Sequence, residues 1–238
     1  MDIKQPTRRI VTGHDTQGKA VALFDGPTVP HQRSPGGNAV TMLWVTGESP
    51  ADLSSGADRA ETKVGVPPPP NGSIFRIVEF PPATTGTPPV DHHKMLIGMG
   101  IDPATQGYSR HPNTHRTRSI DYAIVLDGEI DMLMDDTEVH MKAGDVLVQQ
   151  GTNHAWVNNG AKPCRIAFIL VDAKEPHAWK TRLAQIVKCN CARRIERSRF
   201  RALSNRASVK KRKCSHRSSD LPMCAVFKQA IMAHVRRQ

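Results

Sequence analysis

The run SIFRIVEF (Ser73–Phe80) opens the stretch of sequence that decides the fold. Further short runs rich in apolar and β-branched residues follow it: DYAIVLDGEIDMLM (121–134), EVHM (138–141), DVLVQQ (145–150), HAWVNN (154–159) and CRIAFILVDA (164–173). Turn-forming sequences such as LDGE, KAGD and NNGAKP punctuate these runs. Many short strands at close spacing, with hardly any helical periodicity, are typical of an antiparallel barrel or sandwich. The sequence therefore predicts an all-β domain.

Three strand signals precede this stretch. RRIVTGH (Arg8–His14) and KAVALFD (residues 19–25) flank the turn-type sequence HDTQG and predict a hairpin. AVTMLWVT (Ala39–Thr46) predicts a third strand, and a loop with four consecutive prolines follows it. We therefore expect residues 1–65 to supply N-terminal strands and a loop that pack on a barrel formed by residues 66–178.

The positive charge of the chain is confined to its C-terminal end. Residues 1–180 contain 17 Lys and Arg against 20 Asp and Glu, a net charge of −3. Residues 181–238 contain 16 against 2, a net charge of +14, and few residues able to form a core. Residues 179–238 are therefore predicted to be a basic, disordered tail. Because no helix-turn-helix or other DNA-reading motif is visible, nucleic acid is not an expected partner.

Other interpretations of the tail stay open. The run KKRK (210–213) resembles a nuclear-localisation signal or a nucleic-acid arm. Cys189, Cys191, Cys214 and His216 could form a metal knuckle, although their spacings do not match the usual zinc patterns. A solvated extension or a mistranslated gene end is the simplest interpretation, and we assign the tail no function.

Cysteine content and hydropathy indicate the compartment. Residues 1–180 contain one cysteine, Cys164, so they have no internal disulfide framework, as in a reducing environment. The N-terminal sequence MDIKQPTRR lacks the apolar stretch of a secretory signal, and the longest apolar run, 166–171, is too short to cross a bilayer. We expect a soluble, cytoplasmic protein without a membrane partner.

A run of polar residues at every second position marks the candidate site. Side chains two residues apart along a strand point to the same face, so His115, Thr117, Ser119 and Asp121 share one direction. If that direction is inward, His154 from another strand can converge on them. Polar groups in a closed interior cost free energy unless they are paired or bound, so such a cluster usually serves a ligand or a metal.

The segments GYSRHPNTHRTRSIDYAIVLDGEI (107–130) and AGDVLVQQGTNHAWVNNG (143–160) resemble the two motifs of the cupin superfamily. The first motif places two histidines, a glutamate and a glycine where this chain has His115, Thr117, Asp121 and Gly128. The second is matched by Gly144, Asp145, Gly151, His154 and Asn158, with Gln149 in the proline position. The resemblance implies a cupin barrel, that is, a double-stranded β-helix or jelly roll. The sequence of these two segments is similar to that of cupin-domain oxidoreductases of fungal polyketide gene clusters.

The resemblance also implies a divalent metal, because most cupins hold one with three histidines and a glutamate. Here Thr117 replaces one histidine and Asp121 replaces the glutamate. His115, Asp121 and His154 still resemble a two-histidine, one-carboxylate set that could hold Fe, Mn, Ni or Zn. Without a metal, the same three residues could act as acid and base in enolisation, dehydration or isomerisation. A barrel whose polar residues merely bond one another is the third alternative.

The function that follows from the resemblance is a small-molecule enzyme of secondary metabolism. We expect an oxidoreductase that acts on a polyketide or aromatic intermediate, with a metal-independent dehydratase or isomerase and a non-catalytic metabolite-binding cupin as alternatives. The catalytic candidates are His115, Asp121 and His154. Burial of edge strands makes a homodimer a further expectation.

Neighbouring residues receive other predictions. Arg116 and Arg118 alternate with the inward residues and are predicted to lie at the surface, as is His140 beside the KAGD turn. His92 and His93 are predicted to be solvated loop residues. Trp156 has the same strand parity as His154 and is predicted to line the pocket.

Overall fold

The computed structural model describes residues 6–28, 32–33, 37–83, 91–107 and 110–179, and all of them belong to one compact unit, Met1–Leu183. The predicted basic tail and its cysteines lie outside the described residues, apart from Trp179. The strands are β1 (Arg8–His14), β2 (Ala20–Pro27), β3 (Gln32–Arg33), β4 (Ala39–Thr46), β5 (Ser73–Phe80), β6 (Ser119–Asp127), β7 (Glu129–Leu133), β8 (Glu138–Lys142), β9 (Val146–Gln150), β10 (Ala155–Val157) and β11 (Cys164–Asp172).

Three antiparallel sheets organise these strands. The largest has the order β3-β4-β5-β11-β6-β9, the second has the order β10-β7-β8, and β1 pairs only with β2. The predicted hairpin, the predicted strand at Ala39–Thr46 and the all-β class are therefore confirmed. β4 is an integral strand of the large sheet, because it pairs with β5 along almost its whole length.

One hydrophobic core joins the large sheet to the three-stranded sheet. Alternation along each strand sends every second residue into it. The core contains Met42, Val45, Ile74, Val78, Phe80, Ala123, Val125, Ile130, Met132, Met141, Trp156, Cys164, Ile166, Phe168 and Leu170. Gly128 and Gly144 sit in the turns that begin β7 and β9, with φ of +78° and +93°, a backbone region that favours glycine. The polar residues of the site enter this same interior.

A short helix, α1 (His92–Gly98), lies where the sequence predicted a solvated loop. Asp91 caps it by accepting a hydrogen bond from the Lys94 backbone N–H at 3.1 Å, and Leu96 anchors it with 1% of its surface exposed. At seven residues, the helix is too short for periodicity to show it in the sequence. Among the described residues, no helix has the length and apolar character needed to cross a membrane.

Removal of a core side chain tests this packing. Ile130 is 1% exposed, so Ile130→Ala should lower the free energy of unfolding by about 2–5 kcal/mol, through lost burial and the cavity left behind. Ile97→Ala is the matched control, because Ile97 is 59% exposed on α1 and its removal should change stability by about 0.5 kcal/mol or less. Urea unfolding of both variants measures the difference, and similar losses would contradict the assigned core.

Candidate active site

Two histidines from separate segments are joined by their own backbones. The His115 N–H donates to the His154 carbonyl at 2.9 Å, and the His154 N–H donates to the His115 carbonyl at 3.0 Å. This pairing is an isolated antiparallel bridge just before β6 and β10. It brings the two imidazole rings together, with centroids 4.5 Å apart and planes inclined at 52°. The predicted convergence of His115 and His154 is thus present in the structure.

Each ring is oriented through its Nδ1 atom. His115 Nδ1 lies 3.0 Å from the Asn113 carbonyl oxygen, and His154 Nδ1 lies 3.0 Å from the Thr152 carbonyl oxygen. Because a carbonyl oxygen only accepts hydrogen bonds, each contact places the proton on Nδ1 and leaves a lone pair on Nε2. The Nε2 atoms are therefore the proton-accepting nitrogens of the pair.

A chain of hydrogen bonds connects the polar residues of β6 to His154. Thr117 Oγ1 and Ser119 Oγ are 2.7 Å apart, and Ser119 Oγ donates to Asp121 Oδ1 at 2.5 Å. Gln149 Nε2 donates to the other oxygen, Asp121 Oδ2, at 3.2 Å and lies 3.0 Å from His154 Nδ1. All of these side chains are buried, so the polar run at positions 117, 119 and 121 points inward. Gln149 lies between Asp121 and His154 and contacts both.

The role of Gln149 was missed in the sequence. The β6–β9 register places it directly opposite Asp121, and 3% of its surface is exposed. Its position in the second motif is one where the family pattern has proline, which has no side-chain hydrogen-bonding group. The glutamine in place of that proline is the sequence feature that could have indicated a role in the site. With the Nδ1 proton donated to the Thr152 carbonyl, the acceptor that His154 offers to the Gln149 amide is Nε2, which lies 3.5 Å from Gln149 Nε2.

Aromatic residues form the wall beside the pair. Trp156 meets His154 edge-on with centroids 5.9 Å apart, and it contacts Phe168 in the same manner at 5.5 Å. Phe80 packs on both Trp156 and Phe168, at 6.3 and 6.4 Å. The prediction that Trp156 lines the site with His154 agrees with this geometry. These three rings belong to the hydrophobic core and border the histidine pair on its apolar side.

Burial sets the protonation of the site. It lowers the pKa of His115 to about 4 and that of His154 to about 3, the second aided by repulsion from His115, so both imidazoles are neutral at pH 7. Burial raises the pKa of Asp121 to about 6, against the opposing effects of the Ser119 hydrogen bond and the positive charge of Arg76. Burial also lowers the pKa of Arg76 to about 10, and Arg76 remains a cation at neutral pH.

Arg116 is buried, so its predicted surface position was wrong. It is 4% exposed, its guanidinium stacks 4.0 Å from the centroid of the Trp179 ring, and its Nε donates to the Thr105 carbonyl at 3.0 Å. Trp179 also donates from Nε1 to the Gly151 carbonyl at 2.9 Å. The prediction from strand alternation fails here because Trp179, which is distant in sequence, covers Arg116.

Other histidines lie outside the pair. The predicted solvation of His92 was wrong, because it is half-buried with Nε2 2.6 Å from the Thr114 carbonyl oxygen. His93 is exposed, as predicted. His140 is also exposed, as predicted, and its Nδ1 contacts Asp131 at 2.8 Å. Arg118 lies at the surface in an ion pair with Asp172.

Comparisons with known proteins identify the family. A family model described as "Cupin domain" matches residues 101–171. "Phomopsin biosynthesis cluster protein C'" of Diaporthe leptostromiformis is 33% identical over 181 residues, which cover 73% of this chain and 82% of that protein. The chain is a cupin. The predicted fold class and family are confirmed.

Two further similarities extend this comparison. The "Cupin-domain-containing oxidoreductase srdD" of Neurospora crassa is 31% identical over 174 residues, which cover 70% of this cupin and 76% of that protein. A crystal structure of an ethanolamine utilization protein from Salmonella typhimurium aligns at a TM-score of 0.36 and 12% identity, over 71% of this cupin and 99% of that chain. The relatives of this cupin thus include cupin-domain oxidoreductases and proteins of fungal secondary-metabolite clusters.

The donor set of this cupin does not fit a metal ion. Within the part of the chain that the structure describes, no three His, Cys, Asp or Glu side chains are grouped to hold one. Both oxygens of Asp121 already accept hydrogen bonds, Thr117 replaces a family histidine, and the charge of Arg76 opposes a second cation nearby. A divalent ion on His115, Asp121 and His154 stays a prediction, and the chemistry we infer uses side chains alone.

Acid should destabilise this cupin. A histidine whose pKa is lowered on folding binds protons more readily in the unfolded chain, so the free energy of unfolding falls as the pH drops below about 6.5. The raised pKa of Asp121 acts in the opposite sense as the pH drops below about 6, but it offsets only part of the effect of two imidazoles. His154→Gln should therefore reduce the loss of stability between pH 7 and pH 5 by about 2 kcal/mol.

Urea unfolding at the two pH values measures this loss, with His140→Gln as the control. The pKa of His140 is raised by Asp131, so removal of this imidazole should not reduce the acid-induced loss. Equal losses of stability in the wild type and in His154→Gln would show that the His154 imidazole takes up its proton between pH 7 and pH 5 in the folded protein as it does in the unfolded chain.

Proposed function

We propose that this cupin is a small-molecule enzyme of secondary metabolism that transfers a proton at a carbonyl compound of aromatic or polyketide type. The observation that carries the proposal is the pair of neutral imidazoles, His115 and His154, with their Nε2 lone pairs beside an aromatic wall. A base must be unprotonated to accept a proton, and burial keeps both rings in that state at neutral pH.

We assign the proton transfer to His154 because its surroundings fix it best. It is 3% exposed, the Thr152 carbonyl holds its ring at Nδ1, Gln149 links it to Asp121, and Trp156 borders it. Its Nε2 accepts the proton from the carbon next to the substrate carbonyl, and the electron pair of the broken C–H bond moves to the carbonyl oxygen to give an enolate. Return of the proton to another carbon completes an isomerisation, and its transfer to a departing hydroxyl group completes a dehydration.

Asp121 serves as a positioning residue. Gln149 donates to Asp121 and contacts His154, so ionisation of Asp121 fixes the direction in which the Gln149 amide presents its donor. An imidazolium that forms on His154 during the reaction also gains from the nearby negative charge. Asp121→Asn should therefore slow turnover less than loss of the imidazole does.

Exchange of a carbon-bound proton tests the proposal directly. The full chain should accelerate exchange of the α-protons of phenylpyruvate in D₂O, followed by proton NMR. His154→Gln should reduce that rate by about 10²–10⁴-fold, because general-base catalysis contributes this much. His140→Gln should retain the wild-type rate. Exchange that proceeds no faster with the wild type than with His154→Gln would contradict the proposal.

An oxidoreductase is the second candidate, and it is favoured by the similarity to relatives named as oxidoreductases, such as the Neurospora protein. In that case His115, Asp121 and His154 would hold an ion of Fe, Mn, Ni or Zn, which would supply Lewis-acid chemistry or, for the redox-active metals, electron transfer.

Elemental analysis and chelation separate the two candidates. We expect less than one equivalent of metal per chain and unchanged phenylpyruvate exchange after dialysis against EDTA. One equivalent that is lost in His154→Ala, together with exchange that fails after chelation, would favour the metal-dependent alternative.

A further inference from the structure

Arg76 is a buried cation without a partner in the described residues. It is 9% exposed, its Nε has no hydrogen-bond partner, and its guanidinium forms neither a hydrogen bond nor an ion pair with any residue that the structure describes. A guanidinium has five N–H donors and cannot lose its charge at neutral pH. To bury it without a hydrogen-bonded partner costs free energy, and attraction to the Asp121 carboxylate offsets part of that cost.

The sheet register places Arg76 on the wall of the candidate site. It lies on β5 opposite Phe168 of β11, and Phe168 lies opposite Ala123 of β6, two residues from Asp121. Arg76 alternates with the core residues Ile74 and Val78, so its side chain enters the interior. Its charge acts on both Asp121 and His115, which places it close to the histidine pair.

Asp121 attracts Arg76 from a distance but does not pair with it. The two oxygens of Asp121 accept from Ser119 and Gln149, and no Asp121–Arg76 ion pair forms within the described residues. On β4, the residue paired with Arg76 is Met42, and on β11 it is Phe168, so both strand neighbours are apolar. The Nε–H of Arg76 is therefore a buried donor that no acceptor of the described residues satisfies.

We propose that Arg76 binds the carboxylate of an aromatic or polyketide-type acid, which is the substrate class of the site. A carboxylate accepts two parallel hydrogen bonds from a guanidinium, and such a pair is strong when it is shielded from water. The apolar body of the acid lies against Trp156 and Phe168. The placement of the reacting carbon of this acid at His154 rests on the proposed function.

The stability of the ligand-free protein provides one test. Arg76→Met keeps the length of the side chain and removes the unpaired charge, so the variant should have a higher melting temperature than the wild type. A residue that held the fold together would give the opposite result. Arg118→Met is the matched control, since Arg118 is half exposed and paired with Asp172, and its loss should leave the melting temperature nearly unchanged.

Binding of a carboxylate probe provides the second test. Benzoate and its neutral analogue benzamide are titrated into the full chain, with affinity measured by ligand-observed NMR. The wild type and Arg118→Met should bind benzoate at least about tenfold more tightly than benzamide, as expected for a charged hydrogen-bond pair. Arg76→Met should lose that preference while its affinity for benzamide stays the same. The basic residues 181–238 are common to all variants, so their contribution cancels in the comparison.

The outcomes decide between the alternatives. Equal affinity for benzoate in the wild type and Arg76→Met would overturn the proposal, as would a wild type with no preference over benzamide. Preference for inorganic phosphate over benzoate would also overturn it, because the ligand would then be a phosphate. If Arg76→Met fails to fold, Arg76→Lys retains the charge without the fork and should keep part of the preference.

Failure of this proposal differs from failure of the proposed function. Benzoate has no proton to exchange next to a carbonyl, so its binding reports on Arg76 alone. Benzoate binding that depends on Arg76, without phenylpyruvate exchange, would leave the anion site and remove the proton-transfer function. Phenylpyruvate exchange without selective benzoate binding would leave the proton-transfer function and remove the anion site.

Discussion

Two backbone hydrogen bonds between His115 and His154 hold the site together. They form where the chain enters β6 and β10, so the strands of two different sheets fix the distance between the imidazoles. The Nδ1 contacts with backbone carbonyls then aim both Nε2 atoms, and no side-chain rearrangement is needed to create a basic pair. The geometry of the histidine pair is therefore set by the same backbone pairing that builds the barrel.

The interior combines groups that favour folding with groups that oppose it. The apolar residues supply the burial, whereas the Arg76 cation and an ionised Asp121 carboxylate are each less stable inside than in water. Such costs are tolerated where a ligand offsets them. A carboxylate bound to Arg76 would satisfy this cation, which gives a physical reason for a charged group in the interior beside Trp156.

Most of the fold could be predicted from the sequence, because strand alternation and turn residues act locally. The convergence of His115 and His154 was also predictable, since motif spacing and parity determine it. Residues whose environment depends on distant segments were not: Trp179 covers Arg116 from more than sixty positions away. Arg76 could have been noticed as a single cation at core parity within SIFRIVEF, but only the register shows that its neighbours on both adjacent strands, Met42 and Phe168, are apolar.

The most direct test of the account is the protonation state of the two imidazoles in the folded chain. Long-range ¹H–¹⁵N correlation spectra of histidine-labelled protein distinguish protonated from unprotonated ring nitrogens. We expect two histidines, assigned through His115→Gln and His154→Gln, to be protonated on Nδ1 and unprotonated on Nε2 from pH 7 down to pH 5. Titration of both rings near their ordinary pKa of about 6.5 would contradict the buried, neutral pair.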